Sequence, residues 1–143
     1  MIDITHILIP YLGTPAEQEL LKATCKIARL FKAKVSVVHV IEVPMALPVD
    51  ADNLPGVEEA NAVLDGAEDI AAESRASATT DLLQARDAGH AIVEEAISRG
   101  VDLIMMEAQQ RMRLGMLSLG RTVDYVIKHA PCPVWISRQK PLR

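Results

Sequence analysis

Three features of the sequence predict an α/β fold, a parallel sheet with helices on both faces. Short aliphatic runs alternate with segments of helical periodicity. The longest run, Val35 to Ile41, is apolar and β-branched almost without a break, as a strand covered on both faces is. Proline and glycine stand where helix starts and stops need them, as in Thr14-Pro15 and Gly100.

The elements follow in order. Ile7-Leu8-Ile9, within His6 to Tyr11, reads as the first strand. Thr14 then offers a capping hydroxyl, and Pro15 suits the first helical position. Glu17 and Glu19 place negative charge in that helix's first turn, where the helix dipole favours it. Leu20, Thr24, Ile27, Ala28 and Phe31 recur on one face. Val35 to Ile41 is the second strand, and the proline-broken stretch Glu42 to Pro55 is an irregular acidic loop. An alanine-rich helix is predicted over Val57 to Ser77, its inner side carrying Val57, Ala60, Leu64, Ala67 and Ala71. Asp81 to Ala85 is a weaker strand. Gly89 lies near the start of a helix bearing Ile92, Val93, Ala96 and Ile97, and Gly100 ends it. Val101 to Met106 is the fourth strand. Gln109 to Leu119, rich in Arg and Met, reads as irregular. Gly120 opens a helix with Val123, Val126, Ile127 and Ala130, stopped by Pro131, and Cys132 to Ser137 is the last strand. The tail from Gln139 to Arg143 is polar.

Composition bounds the rest. The chain has 143 residues, the size of one domain, and residues 1–143 are assigned to a single domain. With one Phe, one Trp and two Tyr, the core must be aliphatic. The formal net charge is −4, without the basic footprint of a nucleic-acid binder. No apolar run approaches the ~20 residues that span a bilayer. The opening MIDITHILIPY lacks the basic start and cleavage site of a signal peptide, so a cytoplasmic location is expected. Cys25 and Cys132 form no metal-binding or redox pair and read as reduced small hydrophobes.

The motifs of nucleotide and acyl chemistry are absent. Gly13 stands alone after the first strand, no P-loop occurs, and no Gly-x-Ser-x-Gly turn occurs. The four histidines sit in separate elements: His39 reads as a satisfied core or strand-end residue, and His6 and His129 as surface or capping residues. Glu42 and Glu107, both at strand ends, are the one carboxylate pair placed for acid–base work, but no nucleophile or metal cluster accompanies them. In such sheets ligands bind at the C-terminal ends of the strands, here Tyr11 to Thr14, Val40 to Pro44 and Glu107 to Thr122.

These residues carry a resemblance to the universal stress protein family over nearly the whole chain. The matching pieces are Ile7 to Pro15, Ala33 to Ile41, Val101 to Ile104 and, most specifically, Gly120-Arg121-Thr122-Val123-Asp124-Tyr125 through His129-Ala130-Pro131-Cys132-Pro133-Val134. The resemblance implies a five-stranded parallel sheet of order 3-2-1-4-5 and a homodimer, often paired through the last strands, here Val134 to Ser137. It also implies ATP or another adenine nucleotide as the ligand of many members. Their signature is Gly-x2-Gly-x9-Gly-(Ser/Thr), whose glycines let the backbone wrap phosphates and open a helix whose N–H groups bind the anion.

This chain departs from that signature. With Gly120 as its last glycine, the two earlier ones fall on Gln110 and Glu107, and the hydroxyl position is Arg121, with Thr122 next. Leu12 stands where such members carry an acidic residue after the first strand. The candidate nucleotide or anion site is therefore Val40, Gln110, Gly120, Arg121 and Thr122, with Arg111 and Arg113 as further positive charge; no catalytic or metal-ligating residue is assigned. Met112, Leu114, Met116, Leu117 and Leu119 either plug the cleft or present an adaptable surface to a protein partner, and the plug is favoured. The expected function is a non-catalytic stress-response or regulatory homodimer with a degenerate nucleotide site. The alternatives are an ATP-binding member whose nucleotide controls a partner, and a nucleotide-using enzyme.

Overall fold

The computed structural model describes residues 3–108, 111–113 and 116–139; at 111–113 and 116–118 the description is of the backbone. Five strands form one parallel sheet: β1 (His6–Pro10), β2 (Lys34–Glu42), β3 (Ala78–Ala85), β4 (Leu103–Glu107) and, after two short strands, β7 (Val134–Ser137). Their order is β3-β2-β1-β4-β7, which is 3-2-1-4-5 when the strands of this sheet alone are counted. The expected architecture is present.

Four helices cover the two faces. α1 (Pro15–Phe31) and α2 (Val57–Glu73) pack on one, where Ile7, Ile9, Val35, Val37 and Leu103 meet Leu21, Cys25, Leu64 and Ala67. α3 (Ala88–Arg99) and α4 (Arg121–His129) pack on the other, where Leu8, Val38 and Ile104 meet Ile92, Ala96, Val123 and Val126. Strand alternation explains the split, since neighbouring residues of one strand face opposite sides. Both faces are buried, so the central strands are continuous hydrophobic runs and the expected aliphatic core results.

Several details differ from the sequence reading. The buried stripe of α1 is Leu20, Leu21, Thr24, Cys25 and Ala28; Phe31 is 47% exposed. The stripe keeps Leu20, Thr24 and Ala28 of the predicted face but turns toward Leu21 and Cys25, away from Ile27 and Phe31, and the helix ends at Lys32, whose φ of 58° turns the chain away. α2 stops at Glu73, and β3 begins at Ala78, three residues before the predicted strand. β4 runs from Leu103 to Glu107, and β7 starts only after Pro133, which has no N–H to give a ladder. Gln109 to Leu119 is not wholly irregular: β5 (Arg111–Arg113) pairs antiparallel with β6 (Met116–Ser118). Two short segments separated by a glycine-bearing pair are a hairpin pattern, and main-chain pairing satisfies groups that a loop would leave to water.

Candidate functional site

The C-terminal ends of β1, β2 and β4 and the first turns of α1, α3 and α4 enclose a cavity of about 150 Å³. The loop after β1 is locked. Tyr11 N–H donates to Val38 O at 2.8 Å, and Gly13 turns the chain at φ 82°. A Cβ there would come within 2.8 Å of Val63, so the position needs glycine twice over. Thr14 then caps α1 in a full capping box: Glu17 N–H donates to its hydroxyl at 3.1 Å, and Glu17 Oε1 accepts from Thr14 N–H at 3.2 Å. The same Oε1 accepts from Leu12 N–H at 2.8 Å, so Glu17 holds the whole loop.

The walls are mostly apolar: Val38 and Val40 from β2, Met106 from β4, Ile92 from α3 and Val123 from α4. Tyr11 and Thr122 bring hydroxyl-bearing side chains, and Glu17 and Glu107 bring carboxylates. Among the described lining residues there is no Lys, Arg or His. Tyr11 is almost fully buried, and burial, with Glu17 nearby, raises its phenol above the ordinary value.

Of the predicted site residues, Val40 and Thr122 line this cavity. Gly120 is the N-cap of α4, with φ 99°, a conformation other residues avoid. Arg121 stands beside the cavity rather than in its lining. Its side chain is 80% exposed and its Nη2 lies 3.6 Å from Glu42 Oε2. Gln110 lies outside the described residues. Of the apolar set at 112–119, Leu119 packs against the α3–α4 core, and the other side chains lie outside the description.

The two strand-end glutamates are each engaged elsewhere. Glu42 Oε2 accepts from Ala88 N–H at 2.9 Å and so occupies the start of α3. Glu107 Oε1 accepts from Gln139 N–H at 3.1 Å, but its Oε2 is buried and has no partner among the described residues. His39 corrects the reading of a satisfied histidine. Its Nδ1 is buried and has no partner among the described residues. Burial holds its pKa below the ordinary value, against the opposing effects of a hydrogen bond to the Tyr11 backbone and of Glu17. His6 is not a surface residue either: it is buried, with Nε2 2.6 Å from Ser36 Oγ. His129 does cap, its Nδ1 lying 2.9 Å from Tyr125 O and its ring stacked on Tyr125.

Sequence reasoning placed Tyr11 in a ligand-binding segment, where it does line the cavity, but missed Glu17 as a lining residue and Ile92 and Met106 as walls. The spacing Thr14-x-x-Glu17 is a capping-box signal that would have tied Glu17 to this loop. Ile92 and Met106 carry no signal beyond apolar periodicity. No group of three His, Cys, Asp or Glu could hold a metal ion among the described residues, and no described helix is long and apolar enough to cross a membrane.

A five-stranded parallel sheet with helices on both faces and a cavity at the carboxyl ends of its strands defines a doubly wound α/β domain. The sequence profile of the Universal stress protein family matches residues 3–138, and the chain belongs to that family. It is 29% identical over 139 residues to universal stress protein MJ0531 of Methanocaldococcus jannaschii, covering 93% of this chain and 81% of that one. The universal stress protein of Archaeoglobus fulgidus, solved in complex with dAMP, has the same fold with a TM-score of 0.73 at 22% identity, over 95% of this chain and 98% of that one. A family member from Arabidopsis thaliana with AMP bound superposes with a TM-score of 0.68 at 17% identity, over 95% and 92%.

Proposed function

We propose that this chain is a non-catalytic, cytoplasmic regulatory protein, a single domain acting as a homodimer, whose cleft accepts an adenine-type ligand but has lost the family's grip on a triphosphate. The observation that carries this reading is Glu107. It stands at the first glycine of the phosphate-binding signature and puts a carboxylate among the residues that line the cavity. A like charge there repels phosphate, and a side chain fills space that the backbone wrap requires. Leu12, 58% exposed, removes the acidic side chain from the neighbouring loop. Arg121, the nearest cation in sequence to the α4 start, is drawn to Glu42.

What supports an adenine ligand is the cavity's place and walls, together with the AMP and dAMP held by the Arabidopsis and Archaeoglobus relatives. What supports a non-catalytic role is that Glu42 and Glu107 are each tied to a backbone N–H group, and that the described cavity lining holds no Cys, Lys or His to work with Glu107. The dimer is assigned to β7, which pairs on one side with β4 and carries Trp135, 39% exposed. An edge strand of this kind offers unpaired backbone groups to a second copy.

Isothermal titration with ATP, ADP and AMP in the presence of Mg²⁺ tests the site. The expected result is that affinity falls as phosphates are added. Micromolar binding of ATP would instead make the chain a nucleotide sensor, with Gly120 and the arginines compensating for the missing glycines. Turnover of ATP that Glu107→Ala abolishes would make it an enzyme. Sedimentation of Val134→Pro tests the interface: the dimer should dissociate, and an intact dimer places the interface elsewhere.

A further inference from the structure

The outer edge of β3 carries none of the usual protection. β3 stands at the end of the sheet and pairs with β2 alone among the described residues. Its free side offers backbone N–H and C=O groups, which natural sheets blunt with Lys, Pro, a bulge or a very short strand. β3 has eight residues and neither Lys nor Pro. Its one charged residue, Asp81, is held by Arg99 Nη2 at 2.9 Å.

An open groove of about 590 Å³ follows this edge. Leu82, Leu83 and Gln84 all line it. Neighbouring side chains of a strand face opposite sides, so three consecutive residues share a space only where it runs along the strand's margin. The two cores agree: Leu82 packs with the α1–α2 side and Leu83 with the α3–α4 side. One bank of the groove is α3, through Ala91, Glu94 and Glu95; the other is the loop after β2, through Val49 and Asp50. Gln84 Nε2 ties that loop down, donating to Val49 O at 3.0 Å and Ala51 O at 3.1 Å. The lining thus has three carboxylates, and no Lys, Arg or His among its described residues. Glu95 is neutralised by Arg99 Nε at 2.6 Å. Glu94 meets His90 at 3.7 Å, a cation only when protonated, and Asp50 has no ion pair among the described residues.

We propose that this edge docks an extended, lysine- or arginine-bearing segment of a protein partner, which adds a strand beside β3. Main-chain pairing at 82–84 supplies affinity, and alternate side chains supply specificity. Side chains on one face of the added strand meet α3, where Ala91 and Leu83 take an aliphatic group and Glu94 a cation. Those on the other face meet the loop after β2, where Val49 and Leu82 take an aliphatic group and Asp50 a cation. Charge decides against a second copy as the occupant. The chain has a formal net charge of −4, and two β3 edges brought together would set the same carboxylates against each other.

The test is fluorescence anisotropy of the full chain with three labelled peptides. They are Lys-Val-Arg-Val-Lys-Val, the acidic Glu-Val-Glu-Val-Glu-Val, and the basic peptide with every backbone N–H methylated. The basic peptide should bind, and the acidic one about tenfold or more weakly. Methylation keeps the charge and removes the main-chain donors, and should also weaken binding about tenfold or more. Glu94→Lys and Asp50→Lys change exposed side chains on the two banks, and each should weaken the basic peptide about fivefold or more. Thermal melts verify folding, and if one variant misfolds the other decides. No binding of the basic peptide at millimolar concentration overturns the proposal. So does equal binding of the methylated peptide, which would show that charge alone holds it, or equal binding by both variants, which would place the peptide elsewhere. If saturating basic peptide splits a dimer in sedimentation, the edge belongs to a second copy and the proposal fails.

Discussion

The two ends of the same sheet treat their polar groups in opposite ways. At the N-terminal end, Asp102, just before β4, accepts from Thr5 N–H at 3.0 and 3.1 Å, from the Thr5 hydroxyl at 2.6 Å and from His6 N–H at 3.2 Å. His6 in turn meets Ser36 across β1 and β2. Burial alone would raise the Asp102 carboxyl, but the hydrogen bonds from Thr5 and His6 outweigh it and hold the pKa below the usual value. Toward the C-terminal end, His39 Nδ1 and Glu107 Oε2 are the two buried side-chain polar atoms that lack a partner among the described residues. The cavity lies at that end too. One end spends its polar groups on holding strands together; the other leaves two without a partner among the described residues, one on Glu107 in the cavity lining and one on His39 outside it. Such unmet groups are where a ligand has something to gain.

The largest expected effect breaks the satisfied end. Asp102→Ala removes the acceptor of several charge-assisted hydrogen bonds and should cost about 2–3 kcal/mol. In a chain of this size that is a fall in melting temperature on the order of 5–10 °C. Glu107→Leu, at the unsatisfied end, gives up one backbone hydrogen bond and relieves an unpaired oxygen, so its cost should stay within ~1 kcal/mol. Urea melts of both variants decide the matter. Equal losses with unchanged m would mean that Glu107 is a structural carboxylate and the two ends do not differ.

A smaller effect comes from two histidines, His6, which is buried, and His39, which is half-buried. His6→Leu leaves the Ser36 hydroxyl buried without its partner and should cost about 1–2 kcal/mol. His39→Leu replaces a half-satisfied ring in an apolar strand and should be neutral within about 0.5 kcal/mol or mildly stabilising. Chemical denaturation of the pair sharpens the comparison, because both substitutions are the same in chemistry and differ only in which end they touch. A larger loss at His39 than at His6 would reverse it.

The fold was legible because it is written in periodicity. Val35 to Ile41, the Thr14-Pro15 start and the Gly100 stop each name their element without help, and the structure places all three as read. The ends of elements were less legible. Phe31 continues the helical period of α1 yet stands at its last turn, beside a left-handed Lys32, and packing rather than pattern leaves it exposed. The site was legible only in part. Val40 and Thr122 come from strand-end logic and from the spacing to Gly120, and they do line the cavity. His6, Ser36 and Asp102 come from three separate strands or their approaches, and nothing local in the sequence announces that the sheet will bring them together. The unpaired state of Glu107 Oε2 is equally invisible, being a property of what does not surround it.

The smallest effect is in the pH dependence, and it separates the ends once more. His6 and His39 are both held below the ordinary histidine pKa, chiefly by burial, with Lys34 adding to the effect at His6. A depressed pKa means that the unfolded chain binds the proton more readily than the folded one. Each histidine therefore contributes stability that is complete above the unfolded value of ~6.5 and is lost as pH falls from there to its folded pKa, levelling off below. Within that window the slope is at most about 1.4 kcal/mol per pH unit for each group. Asp102 acts lower: its contribution is complete above the unfolded carboxylate value of ~3.9 and is lost as pH falls through its depressed folded pKa. Stability should thus fall in two steps, the first shared by both ends of the sheet and the second belonging to the N-terminal end. His6→Leu and His39→Leu should each remove part of the first step and leave the second in place, whereas Asp102→Asn should remove its share of the second alone. A wild-type stability that stays flat between pH 7 and pH 5 would show that both rings take up protons in the folded protein as readily as in the unfolded chain. Neither end would then hold its histidine neutral by burial.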